Sequence, residues 1–229
     1  MPQDLDPAAS AAAAARALAG RGVQHVGTHA FGPVHRIERF RWPSGLELLA
    51  LRDASAPVVA YETWVKVGSR AERPGQTGIC HLFEHLMFGA TATRELGSFD
   101  RLLEAEGAET NAATFLDWTY FHDALPREAL PLVIELEADR FQNLVLGEPE
   151  VASEKDVVAN ERRQRVDDDV EGAVSELLWA TAFERHGYKH PTIGWMSDIE
   201  AMSVAGCNAF YRTYYARNNA VLVVVGDFA

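Results

Sequence analysis

An apolar segment, residues 79–88, carries three ionisable side chains within five positions and constrains this chain more than any other feature. Its sequence, ICHLFEHLMF, has the length and apolar character of a buried helix. Residues four apart lie on one face of a helix, so His81 and His85 would present both imidazoles to the same point, with Glu84 at the flank. Such a cluster also occurs on solvated surfaces. Buried without partners it would be costly, and a metal ion would satisfy it.

Two neutral imidazoles and an open position suit Zn²⁺, and the spacing is that of the inverted zinc-peptidase helix motif HxxEH. A catalytic zinc usually has three protein ligands and a water, so a third ligand must come from elsewhere in the chain. A helix predicted over residues 149–165 offers Glu150, Glu154 and Glu161. Glu154 and Glu161 are seven residues apart and therefore share one face, so that one can ligate while the other orients a histidine.

The remaining pattern predicts an α+β fold, with a mostly antiparallel sheet packed by helices. Strands come first, then a run of helices, then a returning strand, which differs from the regular alternation of βαβ units. The predicted strands cover residues 35–40, 46–51, 57–67, 111–125 (one or two strands) and 220–225. The predicted helices cover residues 79–88, 98–106, 126–141, 149–165, 170–185 and 206–215, with a short one at Asp198.

Several smaller assignments follow from local chemistry. Ser98 and Asp198 are predicted to cap the helices that start beside them. Cys80 points about 100° away from the two imidazoles and is predicted to be a packed core thiol. His186 and His190 flank a loop and are predicted to be exposed, without a second metal site.

Charge and composition exclude some partners. The net charge is −12, which opposes non-specific binding to nucleic acid or anionic lipid. There is no apolar run of 18 residues, so no membrane span is predicted. Residues 1–25 form an alanine-rich tail that carries two early aspartates and makes a poor secretory signal. The tail favours a cytoplasmic location and leaves a periplasmic one open if a targeting segment has been lost.

The string GICHLFEHLMF, residues 78–88, resembles the pitrilysin/insulinase zinc peptidases, the family of the mitochondrial processing peptidase and its bacterial relatives. Residues 68–72, 109–114 and 217–227 also resemble that family, and the likeness extends over residues 36–228. The family places its third zinc ligand about 76 positions after the second histidine, which is Glu161 here.

This resemblance implies a ligand set and a reaction. One zinc ion per chain would be held by His81, His85 and Glu161. Glu84 would be the general base of a metal-assisted peptide hydrolysis. Glu154, which matches a second family glutamate seven residues before the ligand, would support the site.

The resemblance also implies how a substrate and a second domain take part. The peptide would add as a strand beside Asn111, Ala112 and Ala113, by backbone hydrogen bonding. Residues 26–229 would be the first of two homologous domains, and the second, absent from this sequence, would lie in the same chain or in a partner subunit. The expected function is therefore a zinc endopeptidase domain.

Two alternatives stay open at this point. One is a non-catalytic structural or assembly subunit of the same fold, and the other is a zinc hydrolase with a non-peptide substrate. The set His81, Glu84, His85 and Glu161 is intact, which favours the enzyme, because non-catalytic family members typically lose parts of the motif.

Overall fold

A computed structural model describes residues 17–228 as one seven-stranded sheet packed by helices. The strands are β1 Gln24–Phe31, β2 His35–Arg41, β3 Glu47–Arg52, β4 Val58–Val65, β5 Glu109–Thr114, β6 Thr119–Pro126 and β7 Ala220–Gly226. From residue 79 onward the α-helices are α1 Ile79–Leu86, α2 Ser98–Ala105, α3 Leu130–Asn143, α4 Glu148–Arg162, α5 Val170–Ala182, α6 Met196–Ala201 and α7 Val204–Tyr214.

The strand order is β1-β2-β3-β7-β4-β6-β5. Every neighbouring pair is antiparallel except β3 and β7, which run parallel. The predicted α+β class with a mostly antiparallel sheet is confirmed. The predicted N-terminal tail lies largely outside the described residues, since the structure describes nothing before residue 17.

Strand β4 shows how the sheet meets the helices. Its burial alternates along the strand, with Val59, Tyr61 and Val65 buried and Val58 exposed, as expected when successive side chains point to opposite faces.

The last strand, β7, lies between the β2–β3 hairpin and the β4–β6 pair. Strand β5 therefore ends one side of the sheet, beside helix α1.

Some helix boundaries differ from the sequence prediction. Helix α4 ends at Arg162 and passes into a single π-helical turn, Arg163–Asp167, instead of continuing as α-helix. Pro126 belongs to β6, and α3 begins only after a 3-10 turn. The π-helical turn sets the end of α4 and the 3-10 turn sets the start of α3. The spacing of apolar residues does not indicate either turn.

Two predicted helix caps are wrong. The residue that caps α2 is Gly97, in the left-handed region at φ 74°, while the hydroxyl of Ser98 donates to the carbonyl of Glu95 at 2.6 Å. Asp198 lies inside α6, and its carboxylate accepts hydrogen bonds from both the backbone N–H and the hydroxyl of Thr77. Asp198 thus fastens α6 to the loop before α1.

Within residues 17–228, none of the helices combines the length and apolar character that a bilayer span requires.

Candidate metal centre

Helix α1 starts where Gly78 and Gly194, in two separate loops, bring their backbones into close contact. Gly78 precedes the helix at φ 88°, a conformation that favours glycine, and a Cβ there would lie 2.3 Å from the carbonyl oxygen of Ile193. The carboxylate of Glu72 accepts the backbone N–H groups of Gly78 and Cys80 at 2.9 and 2.8 Å. An acid at a helix N-terminus satisfies donors that have no partner within the helix.

The rest of α1 is set into the core. The side chains of Cys80, Leu82 and Phe83 have no exposed surface, so the predicted packed thiol is confirmed. Burial of one face fixes the rotation of the helix. The opposite face, which carries His81 and His85, therefore points at α4 and strand β5.

The structure brings the three predicted ligand side chains together. An oxygen of Glu161, on α4, lies 3.6 Å from Nε2 of His81 and 3.4 Å from Nε2 of His85. One potential ligand atom from each of the three residues lies within 4.8 Å of the other two. The three side chains are only 11–24% exposed.

Two neighbours flank this cluster. The carboxylate of Glu154 lies 3.6 Å from Nδ1 of His85, on the far side of the ring from Glu161. The guanidinium of Arg165, four residues further along the chain, forms an ion pair with the other oxygen of Glu161 at 2.8 Å. Glu154 and Glu161 thus contact opposite nitrogens of one imidazole, the arrangement in which one carboxylate can orient a ring toward the other.

The buried charges perturb the histidine pKa values in opposite directions. Burial lowers the pKa of His81 to about 4, so its ring is neutral near pH 7. Burial alone would also lower the pKa of His85, but Glu154 and Glu161 raise it to about 9. The pKa of Glu161 is lowered, chiefly by its interaction with His85. The cluster therefore favours positive charge at the point that Glu161 and His85 share.

Glu84 and the edge of the sheet form the wall of a cleft of about 620 Å³ over this cluster. Glu84 is half-buried, and burial raises the pKa of its carboxyl group. Asn111, Ala112 and Ala113 of β5 line the same cleft. The amide oxygen of Asn111 accepts the backbone N–H of Ala112 at 2.8 Å.

The cleft is also lined by residues that the sequence prediction did not single out. They include Arg165, Val166, Thr192 and Ile193. The spacing of Glu161 and Arg165, four residues apart on a helix, is a signal that could have identified the pair. No comparable local signal connects residues 192 and 193 with α1, because that contact joins distant parts of the chain.

The prediction that His190 is exposed is wrong, whereas His186 is exposed as predicted. His190 is 9% exposed, and its Nε2 lies 2.7 Å from the carbonyl oxygen of Ser69 and 3.0 Å from the carboxylate of Glu72. Because Glu72 also accepts the first N–H groups of α1, His190 connects the loop after α5 to the start of α1.

This connection predicts a pH-dependent stability. Burial alone would lower the pKa of His190, but Glu72, the Ser69 carbonyl and Asp198 raise it above its ordinary value of 6.5. A raised folded-state pKa stabilises the fold below pH 6.5, and this contribution is lost as pH rises through the folded-state value. We expect His190→Ala to cost about 1–3 kcal/mol at pH 6.

Urea unfolding of wild type and His190→Ala between pH 6 and 9 tests this expectation. The difference in free energy of unfolding between wild type and His190→Ala should shrink as pH rises, and His186→Ala, at the exposed neighbouring histidine, is the matched control. A difference for His190→Ala that stays constant over this range would contradict the assignment.

The donor set fits zinc. With metal–ligand distances of about 2.0–2.1 Å, a tetrahedral zinc holds its ligand atoms about 3.3 Å apart. The 3.4 and 3.6 Å separations around Glu161 are close to that value. Two imidazoles and one carboxylate leave a fourth position for water, as in catalytic zinc sites. Because imidazole ligates as the neutral ring, a cation at this point would replace the proton on His85.

Comparison with known proteins gives consistent similarities. Residues 48–194 match the family model described as Insulinase (Peptidase family M16). The chain is 33% identical over 200 residues to the zinc protease PqqE of Helicobacter pylori, which covers 87% of this chain and 45% of that protein. It is 29% identical over 183 residues to the human mitochondrial-processing peptidase subunit beta, covering 80% of this chain and 37% of that protein.

Solved structures agree with these similarities. A crystal structure of a protease from Helicobacter pylori superposes with a TM-score of 0.84 at 33% identity, covering 87% of this chain and 48% of that one. The matched region therefore covers less than half the length of each of these relatives, and this chain spans about half of that length.

Proposed function

This chain belongs to the insulinase family of peptidases, family M16, and on that premise we propose that it is a zinc-dependent endopeptidase domain that hydrolyses extended peptides. The observation that carries the proposal is the convergence of His81, His85 and Glu161 on one point, next to Glu84 and a free sheet edge. A structural zinc site, as opposed to a catalytic one, usually has a fourth protein ligand. Here three side chains converge, and all three line the cleft.

We assign the metal-holding role to His81, His85 and Glu161, with Glu154 orienting the ring of His85. Zinc bound there would supply a Lewis acid that polarises the scissile carbonyl and lowers the pKa of the attacking water. The geometry and charge of the chain's own residues support the remaining roles.

Glu84 is the proposed general base. Its carboxylate faces the cleft beside the ligands, where it can accept a proton from the attacking water and later donate it to the leaving nitrogen. Burial raises the pKa of Glu84, which brings it closer to the range in which a carboxyl group both accepts and releases protons near neutral pH.

Strand β5 is the proposed substrate-binding edge. Within the described sheet it has a partner only on one side, β6, so its other edge can accept a peptide as an added strand. Backbone pairing along Asn111, Ala112 and Ala113 would hold an extended peptide across the cleft. One outward N–H, that of Ala112, already donates to Asn111, so a bound peptide would have to displace that amide.

A second homologous domain, in the same chain or in a partner subunit, is the proposed partner of residues 26–229. The matched relatives are more than twice as long as their region of similarity to this chain, which supports this proposal. The exposed cleft also supports it, since peptide hydrolysis benefits from exclusion of bulk water. A non-catalytic subunit of the same fold remains the alternative against which the experiment is designed.

Zinc stoichiometry tests the ligand assignment. Elemental analysis of the purified chain should give about one zinc per chain. Glu161→Gln should weaken zinc binding by about 100-fold or more, because even groups behind the ligands contribute about 10–100-fold. Asp156→Asn, an exposed carboxylate on the same helix, is the matched control and should bind normally.

Peptide turnover separates the two functions. An endopeptidase should cleave a fluorogenic peptide, lose that activity with a chelator and regain it with zinc. A chain that binds zinc and cleaves no peptide, even with a second domain supplied, would support the structural subunit instead. A wild-type chain without zinc would contradict both the ligand set and the hydrolase.

A further inference from the structure

Helix α4 ends at Arg162, directly after Glu161, and the guanidinium of this arginine is held in the interior. Arg162 is 6% exposed. Its Nη1 donates to the carboxylate of Glu176, on α5, at 2.7 Å and to the backbone carbonyl oxygen of Gly194 at 2.8 Å. The guanidinium carbon also lies 5.7 Å from the centroid of the Trp195 ring. A planar cation with several donors can hold partners from separate elements in one fixed arrangement.

The π-helical turn that follows α4 adds to this arrangement. Its last residue, Asp167, lies five positions after Arg162, which is the spacing of a π turn, and an oxygen of its carboxylate is 3.5 Å from Nη2 of Arg162. Gly172, in the first turn of α5, packs so closely on the carbonyl oxygen of Arg165 that a Cβ would overlap it. The end of α4 is therefore held both by the carboxylate of Glu176 and by the backbone packing of α5.

Gly194 connects Arg162 to the helix that carries the two histidines. Its φ is 88°, and its backbone lies against that of Gly78, which leaves no room for a Cβ. Gly78 is the residue that precedes α1. A single intermediate residue therefore separates the guanidinium of Arg162 from the start of α1, while Arg162 itself is the neighbour of Glu161 on α4.

The turn that ends at Gly194 also forms part of the cleft. The backbone N–H of Gly194 donates to the carbonyl oxygen of Pro191 at 2.9 Å, and the two residues between them, Thr192 and Ile193, line the cleft. A displacement of Gly194 would therefore move this lining together with the start of α1.

We propose that Arg162 is a positioning residue of the metal centre, which holds α4 against the Gly194 turn and thereby sets the separation of Glu161 from His81 and His85. This assignment rests on the proposed function, because it concerns the same three ligands. Successive residues of a helix point about 100° apart, so Arg162 is directed away from the cluster and acts through the backbone of α4. Ligands that are not held in place must be ordered when the ion binds, which weakens binding.

Zinc affinity, measured by competition with a chelating dye, tests the assignment. Arg162→Gln should raise the zinc dissociation constant by about 10- to 100-fold, the usual effect of removing a group that supports the ligands from behind. Arg163→Gln is the matched control, because Arg163 is the exposed neighbour of Arg162 and its guanidinium donates to Asn160 on the same helix. This control should bind zinc as tightly as wild type.

Two further comparisons separate positioning from a general loss of stability. Leu103→Ala truncates a fully buried side chain in a core cluster that contains no residue of α1 or α4. It should lower the free energy of unfolding but leave the zinc affinity of the folded chain unchanged. The visible absorption of bound Co²⁺, which reports ligand geometry, should change in Arg162→Gln and stay as in wild type in Leu103→Ala. Arg162→Lys keeps the charge without the planar fork, so it should recover more of the stability than of the zinc affinity.

Wild-type zinc affinity and an unchanged Co²⁺ spectrum in Arg162→Gln would overturn the assignment, as would an equal loss of zinc affinity in Leu103→Ala. If Arg162→Gln does not fold, Arg162→Lys is measured in its place against the same criteria. A wild-type chain that binds no zinc would contradict the proposed function and this assignment together. Equal zinc binding by wild type and Arg162→Gln would overturn this assignment alone.

Discussion

Replacing Glu84 with glutamine is expected to reduce peptide hydrolysis by about 10²- to 10⁴-fold while leaving zinc binding within a few-fold of wild type. The factor is the typical contribution of a positioned general acid–base group. Glutamine keeps the shape of the side chain but can neither accept the proton of the attacking water nor return it. Glu84 flanks the ligand cluster and contributes none of its three ligand atoms, so the metal site should persist.

Steady-state kinetics on a fluorogenic peptide, together with elemental analysis, measures both halves of this prediction. Loss should appear in kcat, because the group acts in the reaction step more than in binding. Glu106→Gln, an exposed carboxylate at the end of α2, serves as the control with unchanged rates. Full activity in Glu84→Gln would remove Glu84 from the mechanism. Loss of zinc together with activity would make Glu84 part of the metal site instead.

The second large effect concerns stability and a buried arginine. Arg140, on α3, is 1% exposed, and its guanidinium carbon lies 4.5 Å from the ring centroids of both Phe99 and Phe121. It donates a hydrogen bond to Glu137, which is 3% exposed, and Asp123 nearby is 1% exposed. One buried cation thus offsets two buried carboxyl groups among the aromatic rings of the core.

We expect Arg140→Met to lower the free energy of unfolding by about 3–5 kcal/mol at pH 7, because it leaves buried acids without a counter-charge. Methionine retains much of the apolar stem, so packing loss is small in comparison. Urea denaturation measures the change. The double variant Arg140→Met with Glu137→Gln should recover a substantial part of the loss, since it removes the charge that became unpaired.

The pH dependence of that loss has a definite sign. Burial raises the pKa of Glu137 to about 7, even with Arg140 present. A carboxyl group whose pKa is higher in the folded state binds its proton more readily there. Folding therefore becomes more favourable as the pH falls from the folded-state pKa toward the pKa of the same group in the unfolded state. The penalty of Arg140→Met should therefore be smaller at pH 5 than at pH 8. A penalty that grew on acidification would contradict a buried, uncompensated acid.

The local spacing of residues was sufficient to predict which side chains share a face on two helices of this protein. The four-residue spacing of His81 and His85 determined that both imidazoles share a face, and the seven-residue spacing of Glu154 and Glu161 did the same on a second helix. These inferences succeeded because side-chain direction along a helix or strand depends only on the backbone repeat.

The choice between Glu154 and Glu161 shows where local reasoning stops. From the residues alone either could ligate, and the family resemblance singled out Glu161. In the fold, Glu161 approaches Nε2 of both histidines while Glu154 approaches Nδ1 of one. Which carboxylate faces the cluster depends on how α4 is placed against α1, two helices more than 60 residues apart in the chain.

The burial of His190 and Arg140 was likewise decided only by tertiary structure, as was the insertion of β7 between β3 and β4. The local sequence around a polar residue does not show which distant partner offsets the free-energy cost of burying it. For His190 that partner is Glu72, and for Arg140 it is a cage of aromatic rings with Glu137. The sequence by itself determined which residues share a face of an element. Which faces meet was decided by long-range packing, because contacts between distant segments depend on the whole chain's arrangement and not on any local repeat.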